Sequence, residues 1–87
     1  MRAVFVMIKV DPGCVYEVAD KLTQLESFSE AYSISGTYDL LVKLYVENFD
    51  DLGHLVVEQI HKLPHIRETF TLLTFHAFIS DPRALEA

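Results

Sequence analysis

The stretch Gly36-Thr37-Tyr38-Asp39 places a small, flexible residue and an acid directly before the apolar run Leu40–Val46. Gly36 can adopt a positive φ in a tight turn, and Asp39 can accept a hydrogen bond from a backbone amide, as acids in turns often do. The same two residues could instead let a small ligand approach the backbone and bind its ammonium group. The residues by themselves leave both interpretations open.

A second group of reactive side chains is His54, Glu58 and His61, which share one face of a predicted helix. Zinc-protease helices carry two histidines four residues apart, with the catalytic base beside the first. Here the two histidines are seven residues apart and separated by about 10 Å of helix rise, with His65 just beyond. We interpret this face as solvated and predict no metal site.

Two further reactive side chains stand alone in the sequence. His76 lies in an apolar segment and would need a partner acid and a pocket to act as a general base, so a structural role is favoured. Cys14 lies in the first turn of a predicted helix, where the dipole would lower its thiol pKa. No histidine or hydroxyl that could support nucleophilic catalysis neighbours Cys14 in the sequence, and a single cysteine excludes an internal disulfide. We predict no catalytic residue and no cofactor.

Composition restricts the class of protein. Eighty-seven residues allow one domain, and thirteen acids against seven bases give a formal net charge of −6. A nucleic-acid-binding chain needs a basic stripe to displace counterions from phosphates, so we predict no direct nucleic-acid binding. The longest apolar run near the N-terminus is too short for a signal sequence or a membrane span. These features predict a cytoplasmic protein that does not bind membranes.

Hydrophobic periodicity predicts four strands and two helices. The strands span residues 3–10, 28–35, 40–46 and 67–78, and the middle two form a hairpin. Asp11 caps the first helix, with Pro12 in its first turn. Asn48 and the acids that follow it open the second helix, and Pro64 ends it.

The order β-α-β-β-α-β predicts an α+β, ferredoxin-like domain, with a four-stranded antiparallel sheet and both helices on one face. The domain covers residues 1–79, and residues 80–87 form a tail or short helix. Hydrophobic residues make up 51% of the chain, more than one small core can bury. We expect an apolar open sheet face that dimerises, carrying Met7, Leu41, Tyr45, Leu73 and Phe75.

The segment Gly36–Phe75, GTYDLLVKLYVENFDDLGHLVVEQIHKLPHIRETFTLLTF, resembles the effector-binding (RAM) domain of the Lrp/AsnC family of transcriptional regulators. In that family a G-x-Y-D hairpin opens an apolar strand, and an acidic-start helix, a Leu-Pro pair and a threonine-containing last strand follow. Val4–Leu25 resembles the family's first strand and helix. Because this chain begins directly at the first strand, it resembles the stand-alone members, which lack the helix-turn-helix domain.

The resemblance implies a non-enzymatic sensor of a small molecule that modulates transcription or metabolism, and the expected ligand is an amino acid bound between dimers near the hairpin. It implies a homodimer that assembles further, from a tetramer to an octamer or decamer, and that can join a full-length Lrp/AsnC-type regulator. Asp39 would receive the ligand's ammonium group, and backbone amides of the hairpin its carboxylate. His65 stands where the family usually has a glycine. The ligand-binding residues implied by position are Gly36, Thr37, Tyr38, Asp39, His65, Thr69 and Thr71.

Three alternatives share the predicted fold. A small cofactor-free monooxygenase would use His76 or Tyr45 in a deep, enclosed cavity. A purely structural assembly partner would keep the hairpin but bind nothing there. An ACT-type amino-acid module has the same strand order, although its characteristic glycine after the first strand aligns less well.

Overall fold

The computed structural model describes residues 2–80, and they form the predicted order of strands and helices. The strands are β1 (Arg2–Val10), β2 (Phe28–Ser33), β3 (Leu40–Val46) and β4 (Ile66–Leu73), and the first helix is α1 (Val15–Leu22). They make one antiparallel sheet in the order β2-β3-β1-β4. The predicted ferredoxin-like α+β fold is confirmed. The tail predicted at residues 80–87 lies, apart from Ser80, outside the described residues.

The chain makes a turn between β1 and α1 before the helix begins. The Cys14 N–H donates to the Asp11 carbonyl over 3.1 Å, and Gly13 has a φ of 82°. Proline followed by a residue with positive φ is typical of a type II turn. The predicted Asp11 cap, with Pro12 inside the helix, is therefore wrong. Cys14 is the N-cap residue of α1, and its side chain makes no capping bond.

The second helical segment, residues 49–60, changes its pitch along its length. It begins with a 3₁₀ turn (Phe49–Asp51), continues as α2 (Leu52–His54) and widens to a π-helix (Leu55–Ile60). The predicted start is confirmed, because the Asn48 side chain accepts from the Asp50 N–H over 2.9 Å. The wide turn is closed by the His61 N–H, which donates to the Val56 carbonyl five residues back.

The core lies between the sheet and the two helical segments. Alternate residues of β1 and β3 point to this side, as the period of two requires. Val18 and Leu22 of α1 and Ile60 of the second helical segment cover them. The buried sheet residues are Val4, Val6, Ile8, Val10, Leu40, Val42, Leu44 and Val46.

The fourth strand is shorter than predicted and presents its other face. It ends at Leu73, not at residue 78, because its ladder with β1 stops at the Val4–Leu73 pair. Thr74 then donates its hydroxyl to the Ala3 carbonyl over 2.8 Å in place of a backbone pair. Leu73 pairs with Val4, and residues paired across antiparallel strands share a face. Leu73 therefore lies on the helix side, and Phe75 lies beyond the strand, so the prediction of both on the open face is wrong. Phe70 and Leu72 take those places. The second strand is also shorter than predicted, because β2 ends at Ser33 and not at residue 35.

No helix in the described part of the chain is long and apolar enough to cross a membrane.

We expect Ile8→Ala to lower the free energy of unfolding by about 2–5 kcal/mol, because Ile8 is fully buried in the central strand. Val57, on the second helical segment, is 53% exposed, so Val57→Ala should change it by no more than about 0.5 kcal/mol. Urea unfolding of both variants measures the difference. Equal losses would contradict this placement of the core.

Candidate functional site

The predicted hairpin turn lies at the end of the sheet where β1 finishes and β4 begins. The Asp39 N–H donates to the Ile8 carbonyl over 2.9 Å, and the Asp39 carbonyl accepts from the Ile34 N–H over 3.0 Å. His65 directly precedes β4, and its carbonyl accepts from the Asp11 N–H over 2.9 Å. The fold therefore brings residues 36–39 and His65 to the same end of the molecule.

Asp39 fastens the hairpin to β1 through its side chain. Its Oδ2 accepts from the Val10 N–H over 2.9 Å, at the point where the pairing of β1 with β4 shifts register. The carboxylate thus satisfies a backbone donor beside an irregularity in the ladder. Its other oxygen, Oδ1, forms no hydrogen bond within residues 2–80. Asp39 therefore has a structural role, since its carboxylate ties the hairpin to the end of β1 through one of its two oxygens.

The rest of the turn forms a small mixed surface on the open side of the sheet. The Tyr38 ring lies 6.2 Å from the Phe70 ring, between centroids, at an angle of 40°. Burial and then the charge of Glu68 raise the pKa of the Tyr38 phenol above its ordinary value. Lys9 Nζ donates to the Thr37 carbonyl over 3.2 Å. An aromatic pair, a cation and an acid are therefore close together here.

The turn requires glycine at position 36 because of its backbone conformation and not because of steric crowding. Its φ is 120°, a region that residues with a side chain rarely adopt. A Cβ added there would meet no atom within 4 Å. A side chain would consequently strain the turn even though solvent surrounds the position.

The two predicted threonines lie on the other side of the sheet. Thr69 pairs with Ile8 and Thr71 with Val6, whose side chains are buried under the helices. Thr69 Oγ1 is hydrogen-bonded to His61 Nε2 over 2.8 Å. A surface cavity of about 240 Å³ is lined there by His61, Ile66, Arg67, Glu68 and Thr69. The structure therefore separates the predicted ligand contacts into a hairpin set and a threonine set.

On the helical face that carries His54, Glu58 and His61, the last two side chains make contacts within the chain. Glu58 Oε2 forms an ion pair with Lys62 Nζ at 2.8 Å, one turn along the chain, and His61 bonds Thr69. Within the described residues, these three side chains do not come together as a group of metal ligands.

His65 adopts the backbone conformation expected of the glycine it replaces. Its φ is 71°, in the left-handed region that histidine enters more often than most residues. Its imidazole lies between two acids, with Nδ1 3.2 Å from Asp11 Oδ2 and Nε2 3.0 Å from Glu17 Oε2. These contacts hold the loop against the start of α1.

Cys14 lies beside the same acids. Its sulfur, a Glu17 carboxylate oxygen and a His65 ring nitrogen are all within 4.8 Å of one another. Burial, followed by the charges of Glu17 and Asp11, raises the pKa of the Cys14 thiol. The direction of this pKa shift is opposite to the lowering that the helix dipole alone would give. Sequence inspection missed this group because His65 is far from Cys14 along the chain and only the fold joins them.

A larger surface cavity, of about 410 Å³, lies at the opposite end of the sheet. Its lining includes Tyr45, one of the two residues considered for an oxygenase, but not His76. The other lining residues are Glu26, Ser27, Val46, Glu47, Asp51, His54, Leu55 and Gln59. The hairpin turn contributes nothing to this cavity, so the two are separate features.

The comparison with known proteins covers nearly the whole chain. The family model of the Lrp/AsnC ligand binding domain matches residues 3–84. The HTH-type transcriptional regulator FL11 of Pyrococcus abyssi is 33% identical over 69 residues, which are 79% of this chain and 45% of that protein. The chain spans about half the length of the curated relatives it matches.

Solved structures agree with this match. TTHA0845 from Thermus thermophilus is 29% identical, with a TM-score of 0.85, and the likeness covers 92% of this chain and 100% of that one. The feast or famine regulatory protein Rv3291c from M. tuberculosis, complexed with L-methionine, is 23% identical and shares the fold. Its TM-score is 0.79 over 94% of this chain and 55% of its own. With the fold and the GTYD hairpin in place, the family match identifies this chain as a member of the Lrp/AsnC ligand-binding-domain family.

Proposed function

We propose that this domain binds a free amino acid at the hairpin turn of residues 36–39 and so acts as a non-enzymatic sensor for transcriptional or metabolic control. The observation that carries the proposal is Asp39, whose carboxylate is fixed by Val10 through one oxygen while the other is unpaired within residues 2–80. The related M. tuberculosis regulator binds L-methionine, and FL11 is a transcriptional regulator. Both support the proposal for this chain.

A free amino acid carries an ammonium and a carboxylate on neighbouring atoms, and both must be satisfied in a dry site. Asp39 Oδ1 accepts from the ammonium as a charge-assisted hydrogen bond. Backbone amides of Gly36 to Tyr38 donate to the carboxylate, and the space beside Gly36, where no atom lies within 4 Å of an added Cβ, admits the ligand. The Tyr38–Phe70 pair offers apolar surface to the ligand's side chain.

His65, Thr69 and Thr71 remain in the proposed site as a second set. Because the two threonines face the helix side and Tyr38 packs on Phe70 on the open side, one small ligand in one subunit does not span both sets. We assign the second set to contacts made across an interface between dimers. A neighbouring subunit then completes the site.

We infer that the dimer forms through the open face of the sheet. In the single chain this face leaves Tyr45 38%, Phe70 49% and Leu72 39% exposed, beside partly buried Met7 and Leu41. Apolar surface of this kind is typical of an interface. Pairing of two such faces is self-complementary, and further contacts build the larger ring or join a full-length regulator.

For the proposed function, the first prediction concerns assembly. Leu72→Asp should reduce the particle mass measured by light scattering to that of a monomer, because it would bury an unpaired carboxylate between two sheets. Val57→Asp, on the exposed side of the second helical segment, is the matched control and should assemble like wild type. Full assembly of Leu72→Asp would contradict the sheet-face dimer.

The second prediction concerns the ligand. Titration of assembled protein with each of the common amino acids should reveal at least one that stabilises it, by ~2.7 kcal/mol at 100 times its Kd. Denaturant unfolding at fixed protein concentration measures this gain. If no amino acid stabilises protein that light scattering shows to be assembled, a purely structural role replaces sensing.

The third prediction separates the two roles of Asp39. Asp39→Asn keeps an acceptor for the Val10 N–H but loses the charge, so folding stability should stay within about 1 kcal/mol while ligand affinity falls roughly tenfold. Asp39→Ala removes both and should also cost about 1–3 kcal/mol of folding stability. Calorimetric titration and urea unfolding of the pair give the two quantities. Wild-type affinity in Asp39→Asn would show that Asp39 serves only its turn.

A further inference from the structure

We propose that Cys14, Glu17 and His65 form a binding site for a Zn²⁺ ion at the start of α1. The sulfur, one carboxylate oxygen and one imidazole nitrogen lie within 4.8 Å of one another. They come from two segments that are distant in the sequence and meet only in the fold. The zinc site takes no residue from the hairpin turn 36–39, but it shares His65 with the second contact set of the proposed amino-acid site.

The three donor types select the metal. Thiolate, imidazole and carboxylate together suit Zn²⁺, a borderline ion, whereas Mg²⁺ and Ca²⁺ prefer sites made of oxygen. Zn²⁺ bonds of about 2.0–2.3 Å in a tetrahedron put ligand atoms roughly 3.3–3.8 Å apart. His65 Nε2 and Glu17 Oε2 are already 3.0 Å apart, so a rotation that brings the Cys14 sulfur closer by about an ångström completes the geometry. Three protein ligands leave the fourth position to water.

Contacts outside the three ligands already orient the histidine. Its Nδ1 lies 3.2 Å from Asp11 Oδ2, and Arg67 Nε lies 3.7 Å from Asp11 Oδ1. Metal-ligating histidines almost always donate their other ring N–H to a carboxylate, a backbone carbonyl or water, and Asp11 is such a partner. Here the other nitrogen, Nε2, faces Glu17 Oε2 at 3.0 Å. An ion between these two atoms would use both of their lone pairs.

Backbone geometry fixes both halves of the site. Cys14 and Glu17 are three residues apart at the start of α1 and so lie on the same side of the helix. His65 is held in the left-handed region, and its carbonyl accepts from the Asp11 N–H over 2.9 Å. The loop before β4 and the turn before α1 are thereby joined, with the three ligands between them.

The test uses the whole chain without a histidine tag, freed of metal with EDTA and kept reduced. Calorimetric titration with Zn²⁺ alone should show that one ion binds per chain. Titration with Co²⁺ should produce a thiolate-to-cobalt charge-transfer band, which reports a Cys14 bond directly. Absence of Zn²⁺ binding, or Co²⁺ binding without that band, overturns the proposal.

Variants separate a built site from adventitious binding. Cys14→Ser should abolish the charge-transfer band, and His65→Gly, which suits a φ of 71° and should fold, should lower Zn²⁺ affinity at least about tenfold. Asp11→Asn should lower the affinity about 10–100-fold while the band persists. The control His54→Gln should bind like wild type. Loss in His54→Gln but not in His65→Gly would assign binding to surface histidines and overturn the site.

Discussion

β1 is hydrogen-bonded to β3 on one side and to β4 on the other along most of its length. This central position fixes both faces of the sheet at once. Val4, Val6 and Ile8 must be covered by helices, and the residues between them face the open side. Where β1 ends, its backbone groups need new partners, and the neighbouring loops supply them.

The polar side chains of the candidate site consequently lie around the end of β1. Asp39 binds the Val10 N–H and the His65 carbonyl binds the Asp11 N–H, so the hairpin and the loop before β4 are both fastened to one short stretch. Three residues at this end, Gly13, Gly36 and His65, have positive φ. Such sharp changes of direction allow polar side chains to converge without lengthening the loops.

Assembly and ligand binding share one surface in the proposed mechanism. Tyr38 packs on Phe70, which belongs to the open face that would be covered in a dimer. A ligand that orders Tyr38 would therefore also order the edge of that interface. Ligand binding would then shift the equilibrium of assembly. An oligomeric sensor can act through such coupling without catalysing a reaction.

The kind and order of the elements follow from local patterns along the chain. Examples are the alternating apolar residues of β1 and β3 and the Asn48 cap of the second helical segment. All of these are present in the structure. The family resemblance of residues 36–75 likewise needed only the sequence. The turn before α1 was missed although Pro12-Gly13 is local, because a cap and a turn compete for the same residues.

Which residues meet depends on pairing between distant strands. The alternation of residues in β4 shows which of them share a face, but it does not show which face is buried. The pairing of Leu73 with the buried Val4 decides this, and it places Phe70 and Leu72 on the open side. The open oxygen of Asp39 and the meeting of Cys14 with His65 depend on the register at the end of β1. Register is set by contacts between segments far apart in the chain, and a single sequence carries no local trace of them.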